Sequence, residues 1–238
     1  MIRDVELPED ALVLPGQSVT TQEQADALPS VGEGEEEFKH EVLDVNAEFA
    51  EGYVDLYEAE GYDDVVGVGP NPVTSFNPEA IEPEIGAGTQ VGELARVVGD
   101  VRIGAGSEMS DRAALRADEA DEGAPIIIGA NANIEERVTF HALQGTTITV
   151  GDDLDVGDDS VLHGPLKAGE ELEVGDDSVV FRVLLGDGVS IGDDVTVQGP
   201  AGEGDPNELT LEIPDGTMIP DGAVVTDEES LSTWLTTS

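Results

Sequence analysis

Two histidines hold equivalent places in the sequence and are candidates to bind one metal ion together. His141 directly follows the apolar residue Phe140, and His163 directly follows Leu162. Neutral imidazole binds Zn²⁺ at about 2.0–2.1 Å, so rings on neighbouring segments can share one ion. The chemistry therefore depends on whether the fold brings together two residues that lie 22 positions apart in the chain.

A six-residue repeat in the second half of the chain predicts the fold. An α-helix cannot use a period of six, because such positions rotate around its surface. A β-sandwich with chance spacing is the alternative, but six consecutive matches from Val150 to Val180 favour a mainly β fold. The pattern predicts a left-handed parallel β-helix with three hexapeptides in each coil. The recurring apolar residues, often followed by Gly, are Val97, Ile103, Met109, Leu115; Ile128, Ile134, Phe140; Val150, Val156, Leu162, Ala168, Val174, Val180; Ile191 and Val197.

The predicted coils place the two histidines side by side. One coil takes about 18 residues, and a loop at 143–149 accounts for the other four between His141 and His163. The two rings then stack on adjacent coils, ~4.8 Å apart. Segments 118–123 and 201–207 also interrupt the period and are predicted to be loops.

Asp158 is a candidate third ligand because it lies on the corner that precedes His163. A site with two histidines, one carboxylate and a water in the fourth position suits zinc. Acidic pairs recur at equivalent corners, however, so a purely surface role for Asp158 stays open; the equivalent residues are Asp152, Asp176 and Asp193.

Acidic residues dominate the composition and restrict the partners. There are 54 Asp and Glu against nine Lys and Arg, a net charge of -45, which disfavours nucleic acid and anionic membranes. Acidic chains poor in apolar residues are usually disordered, but this chain is 39% hydrophobic and its acids are spread in short pairs. The pattern is typical of a halophilic protein, in which molar salt screens the repulsion.

Other features bear on the compartment. The chain has no cysteine, which excludes disulfides and thiolate ligands. Its N-terminus lacks a signal-peptide pattern, and its apolar runs are too short to span a bilayer. We expect a soluble cytoplasmic protein.

The ends of the chain carry two copies of one segment, at 6–21 and 212–227, and each runs into a helix-compatible stretch. A helix is predicted around 36–59. The predicted organisation is an N-terminal segment with this helix (1–66), an extended lead (67–96), the β-helix (97–226) and a short helical tail (227–238).

Several motifs resemble the gamma-class carbonic anhydrases, in that family's order and over about residues 70–230. They are LRADE at 115–119, IIIG at 126–129, NIEERVTFHAL at 133–143, SVLHGP at 160–165 and IPDGTMIPDGAVVT at 213–226. VTTQEQADALP and VNAEFAEGY, both before residue 54, resemble the family's C-terminal tail. The arrangement resembles a circular permutation with a partial copy left behind.

The resemblance implies a homotrimer that hydrates CO₂ to bicarbonate at a metal between subunits. His141 and His163 match the two zinc ligands from one subunit, and Asp158 stands where the family carries the neighbour's histidine. His40 lies near the terminal-helix residue that approaches the site and could replace that histidine. Iron or cobalt could take the place of zinc.

The resemblance also implies catalytic residues around the metal. Arg116 and Asp118 match an Arg–Asp pair that bridges subunits, with Asp121 as a substitute for the aspartate, and Asn133 matches an active-site Asn. Glu135 stands where the family has the Gln that bonds zinc-bound hydroxide. Glu119 or Glu122 is the expected proton relay.

Three functions follow from these features. The first is zinc-hydroxide attack on CO₂. The second is a catalytically degenerate member that serves as a structural or bicarbonate-binding scaffold, favoured by Asp158, Glu135 and the short 143–149 loop. The third, acyl transfer as in other hexapeptide-repeat proteins, fits a pair of metal-ligating histidines least well.

Overall fold

A computed structural model describes residues 2–13, 19–61, 67–119, 126–202 and 204–235. The chain divides into two compact units, Met1–Glu51 and Gly52–Ser238. The first unit contains α1 (Gln22–Asp26) and the greater part of α2 (Glu33–Glu60), whose last residues belong to the second unit. The second unit contains the β-strands and α3 (Glu228–Leu235).

The strands form the three faces of a coiled prism, and every pairing between them is parallel. The first face, which carries the histidines, comprises β1 (Gly67–Gly69), β4 (Arg96–Gly99), β7 (Ala114–Ala117), β10 (Thr139–His141), β17 (Thr196–Gln198) and β20 (Val224–Val225). The second comprises β2 (Glu84–Ile85), β5 (Val101–Ile103), β8 (Ile126–Ile128), β11 (Ile148–Val150) and β18 (Leu211–Ile213). Two longer strands, β13 (Val161–Ala168) and β15 (Val179–Leu185), continue from the first face into the second.

The third face consists of two-residue strands. They are β3 (Gln90–Val91), β6 (Glu108–Met109), β9 (Asn133–Ile134), β12 (Asp155–Val156), β14 (Glu173–Val174), β16 (Ser190–Ile191) and β19 (Met218–Ile219). The predicted left-handed parallel β-helix is thereby confirmed. No helix of the described residues is long and apolar enough to cross a membrane.

The interior of the prism is the column of apolar residues that the repeat predicts. From Val150 to Val180 the six repeat positions are between 0% and 5% exposed. Successive side chains in a strand point to opposite faces, so each short strand places one such residue inward. Stacked coils then bury a continuous core that no single coil could bury alone.

Aspartates at the corners hold successive coils together. Oδ1 of Asp193 accepts the backbone N–H of Asp176 at 3.0 Å, and Asp176 is the corresponding residue one coil earlier. A methyl group on Gly175 would collide with this carboxylate, which explains why Gly precedes the acidic pair. The second residue of the pair, Asp194, has a φ of 56°, in the left-handed region that Asp and Asn adopt more readily than most residues. The same bond recurs at Asp111, Asp152, Asp158, Asp187, Asp215 and Asp221.

The duplicated end segments are each followed by a helix in the structure. α1 begins after Thr21, which forms a capping box with Gln24. α3 begins after Asp227, whose Oδ1 accepts the N–H of Ser230 at 2.8 Å. The first copy contains residues 14–18, which lie outside the described part of the chain.

The interruptions of the repeat fall between strands. Most of 143–149 lies between β10 and β11, and 201–207, apart from residue 203, lies in the connection from β17 to β18. Of the predicted 118–123 loop, only Asp118 and Glu119 are described. The candidate residues Asp121 and Glu122 lie outside the described residues.

Replacement of the corner carboxylate should weaken coil stacking. We expect Asp193→Ala to lower the free energy of unfolding by about 1 kcal/mol, because the N–H of Asp176 loses its acceptor. The matched control is Asp194→Asn, which removes one negative charge at the same corner but keeps a side chain suited to its positive φ. Chemical denaturation in molar KCl measures both. Equal losses in the two variants would show that charge, not the hydrogen bond, matters at this corner.

Candidate metal centre

The two histidines lie opposite each other on the first face. His141 in β10 is in direct register with His163 in β13, which is the placement their spacing predicts. Their ring centroids are 5.2 Å apart, with an interplanar angle of 60°. The two imidazoles are therefore close enough to serve one small ion.

The histidines continue a column of residues that occupy one register position in successive coils. Arg116 in β7 pairs with His141, and Phe181 in β15 pairs with His163. The ring of Phe181 lies 5.7 Å from that of His163 and is covered by the guanidinium of Arg182 at 4.1 Å. The pair is thus bounded by a cation on the Arg116 side and by an aromatic ring on the other.

Two carboxylates face His141 from the segment after β7. Oε1 of Glu119 is 3.3 Å from Nε2 of His141, and Oδ1 of Asp118 is 3.9 Å from the same atom. The side chain of Asp118 is fully buried, and that of Glu119 is 19% exposed. The structure therefore brings Arg116, Glu119 and the two histidines close together.

Asp118 is held by a hydrogen-bond network of its own. Its Oδ2 accepts the hydroxyl of Tyr53 at 2.6 Å and Nε of Arg116 at 3.1 Å, and its backbone carbonyl accepts the amide of Asn77. Burial raises the pKa of Tyr53 well above its usual value, and the adjacent Asp118 raises it further. Burial alone would lower the pKa of Arg116, but Asp118 reverses this, and the net pKa is raised. The network thus gives one oxygen of the buried aspartate two hydrogen-bond donors.

Tyr53 is a site residue that sequence reasoning did not identify. It belongs to the VNAEFAEGY segment near the C-terminal end of α2, about 65 residues before Asp118 in the chain. The resemblance of VNAEFAEGY to the family was the only sequence signal that could have indicated Tyr53. The sequence spacing between Tyr53 and Asp118 does not show that the two side chains meet.

Three buried polar atoms at the centre have no hydrogen-bond partner among the described residues. They are Oδ1 of Asp118, Nε2 of His141 and Nδ1 of His163. Burial, and then the neighbouring His141, lowers the pKa of His163 to about 4. His163 is therefore neutral at pH 7, which is the form that binds a metal.

Asn133 and Glu135 do not join the histidines within this chain. Asn133 lies on the third face, where its amide donates to Oδ1 of Asp155 at 2.8 Å. Glu135 follows β9 at the next corner, where burial and then the nearby Asp158 raise its pKa. Each of these two side chains therefore lies beside a carboxylate of the next coil, Asp155 for Asn133 and Asp158 for Glu135.

Asp158 lies at the corner before β13, whereas His163 follows within that strand. Oδ1 of Asp158 accepts the N–H of Glu136 at 2.8 Å, and Oδ2 is 3.8 Å from Arg137. Its side chain is 43% exposed. Asp158 thus makes the same coil-to-coil bond as the other corner aspartates. His40 is exposed and lies in α2 within the first unit.

The residues present fit a metal ion in part. Nε2 of His141 is a buried ligand atom without a hydrogen bond, and neutral His163 stands beside it. In the part of the chain that the structure describes, however, no three His, Asp or Glu side chains are already grouped around one point. The described residues therefore supply a pair of candidate ligands but no complete metal site.

Known proteins similar in sequence to this chain include one enzyme and two assembly proteins. The chain is 28% identical over 185 residues to the carbonic anhydrase of Methanosarcina thermophila, covering 70% of this chain and 69% of that protein. It is 28% identical over 169 residues to the carboxysome assembly protein CcmM of Nostoc, covering 66% of this chain but only 28% of CcmM. CcmM of Synechococcus elongatus is 30% identical over 158 residues, covering 62% and 27%.

Other comparisons add less. No protein-family model matches the chain. A solved Bacillus cereus structure described as an acetyltransferase covers 64% of this chain and 83% of that one, at 17% identity and a TM-score of 0.29. The three sequence relatives support the resemblance to gamma-class carbonic anhydrases and proteins related to them.

Loss of the Tyr53 hydroxyl should destabilise the network around Asp118. We expect Tyr53→Phe to lower the free energy of unfolding by about 1.5–3 kcal/mol, because a buried carboxylate loses a donor. Tyr57→Phe is the matched control, since Tyr57 lies one turn further along α2 and is 52% exposed. Thermal and denaturant unfolding measure the difference. A Tyr53→Phe variant as stable as Tyr57→Phe would contradict this account of the network.

Proposed function

We propose that this protein is a carbonic anhydrase of the gamma class, which hydrates CO₂ to bicarbonate at a zinc ion. The observation that carries the proposal is the in-register pair of His141 and His163. Nε2 of His141 is buried and has no hydrogen-bond partner among the described residues. The similarity to the Methanosarcina enzyme over 70% of the chain supports it. Iron or cobalt would suit the same ligands.

The residues of this chain divide the work of such a site. His141 and His163 would hold the metal, which would supply a hydroxide nucleophile by acidifying bound water, the role that zinc has in carbonic anhydrase generally. Arg116 and Tyr53 hold Asp118 in place behind His141. Glu119 is partly exposed. It would relay protons between the buried histidine pair and solvent.

We further propose that the active form is a homotrimer. Asn133, Glu135 and Asp158 lie on the third face or at the corner beside it, away from the histidines of the same chain. These residues can contribute to a metal centre only if the corner of one copy meets the first face of another. A cyclic trimer brings such unlike surfaces together in a closed ring.

A second candidate function is that of a structural scaffold. Asp158 and Glu135 replace a histidine and a glutamine of the family pattern, and Asp158 is used in coil stacking. The similarity to CcmM, a carboxysome assembly protein, favours this alternative. A scaffold would keep the assembled trimer without needing a bound metal.

The deciding experiment measures metal content per subunit and CO₂ hydration on one sample purified in molar KCl. The proposal expects about one metal per subunit and loss of both metal and activity in His163→Ala, because half of the paired site is gone. Gln198→Ala is the matched control, since Gln198 holds the same register position two coils further on.

The possible outcomes separate the two functions. Light scattering establishes whether each variant keeps its oligomeric state. A metal-free, inactive but intact trimer would refute the enzyme and support the scaffold. His40→Ala belongs to the same series, because loss of metal in that variant would make His40 the missing ligand.

A further inference from the structure

We propose that Arg182 of one copy pairs with Asp176 of the next copy and thereby fixes how the subunits of the trimer meet. The inference rests on the trimer of the proposed function, but it can fail while that trimer stands. It assigns a partner to a cation and to a carboxylate that have none in the described part of one chain.

Arg182 has no carboxylate partner among the described residues, although the chain has 54 Asp and Glu against nine Lys and Arg. By contrast, Arg102, Arg116 and Arg137 all form ion pairs. The guanidinium of Arg182 instead lies over the ring of Phe181 at 4.1 Å. Burial lowers its pKa, and no described carboxylate raises it. The N–H donors at the edges of this planar group therefore have no acceptor within the described part of the chain.

The surroundings of Arg182 allow a second molecule to approach it. Arg182 lines a cleft of about 360 Å³ together with Gln144 and Pro206. Two carboxylates line the same cleft, those of Asp205 and Glu208, yet neither pairs with Arg182. The cleft therefore gives a carboxylate from another copy access to the guanidinium.

Asp176 is the matching carboxylate, because it lacks the bond that equivalent aspartates make. In the acidic pairs at other corners, Asp152, Asp158 and Asp193 each accept a backbone N–H of the preceding coil. The side chain of Asp176 is exposed, and its carboxylate forms neither a hydrogen bond nor an ion pair with any described residue. It lies near Glu135 and helps to raise the pKa of that residue. The corner therefore carries negative charge that a cation from outside the chain would neutralise.

Asp176 and Arg182 belong to one coil but lie at opposite edges of the first face. The three residues Val179–Phe181, which form the first-face part of β15, lie between them. At about 3.3 Å for each residue, this strand separates the two edges by roughly 10 Å. The two charges are therefore better placed to pair between copies than within one chain.

The symmetry of a trimer brings the two residues to the same height. A three-fold axis parallel to the prism axis keeps the coils of all copies level with one another. Asp158 lies five residues before His163. Asp176 lies five residues before Phe181, the residue one coil on that pairs with His163. A corner that brings Asp158 level with the neighbour's histidines therefore brings Asp176 level with Arg182.

The test is the dissociation constant of the trimer, measured by analytical ultracentrifugation over a range of protein concentrations in molar KCl. At about 1 M salt, charges more than about 3 Å apart are largely screened, so a change reports direct contact. We expect Arg182→Gln to raise the constant at least about tenfold, since every trimer loses three identical pairs. Asp176→Asn should raise it similarly, although this variant is less negative and general repulsion predicts a tighter trimer.

The matched controls change the same charges elsewhere. Lys167→Gln removes a cation from the second face, and Asp177→Asn removes a negative charge from the corner that carries Asp176. Both should stay within about twofold of the unsubstituted protein, because surface substitutions away from a contact have small effects. The exchanged variant, Arg182→Asp with Asp176→Arg, should form a tighter trimer than either of its single substitutions.

Each outcome decides the assignment. A dissociation constant unchanged in Arg182→Gln or in Asp176→Asn, or raised equally by Asp177→Asn, would overturn the pair while leaving the trimer intact. An unsubstituted protein that sediments as a monomer would overturn the proposed trimer as well. If Arg182→Gln unfolds through loss of its stack on Phe181, Asp176→Asn and Asp177→Asn decide alone, since both replace exposed side chains.

Discussion

The site depends above all on the parallel register between β10 and β13. Phe140 and Leu162 are fully buried and paired, so the residues that follow them, His141 and His163, must also be paired. A slip of one residue would turn the buried side chains outward and is strongly opposed by the core. The same constraint places Arg116 before the histidines and Phe181 after them. The packing of the hydrophobic interior therefore fixes the register of the coils, and this register places the two histidines of the candidate metal centre side by side.

The site also depends on Asp118, a buried aspartate whose side chain lies next to the histidine pair. Burying an unpaired carboxylate is very costly, and Asp118 is compensated by Tyr53 and Arg116 through one oxygen only. The other oxygen remains directed at the site. With Glu119 beside it, the negative charge there exceeds what Arg116 neutralises, which favours a bound cation.

The strongly acidic composition has two separate origins in the fold. The first aspartate of three corner pairs bonds the preceding coil, at Asp152, Asp158 and Asp193. The second aspartate of these pairs occupies a left-handed backbone conformation. These residues are structural, although in the sequence they are indistinguishable from solvent-exposed charge. Among the other described acids, Asp153 and Asp155 also accept side-chain bonds from the preceding coil, and the adaptation to high salt predicted from the composition stays a prediction.

The sequence by itself determined the β-helix, its interior residues and the pairing of His141 with His163. A local period of six is enough for this, because each coil repeats the same short-range pattern. Its motifs also pointed to Arg116, Asp118 and Glu119 near the histidines. Only the tertiary structure decided that Tyr53 reaches Asp118, that Asp158 bonds Glu136, and that Asn133 and Glu135 lie away from the pair. These contacts depend on the paths of side chains between segments that are 22 to 65 residues apart, and no local spacing encodes such paths.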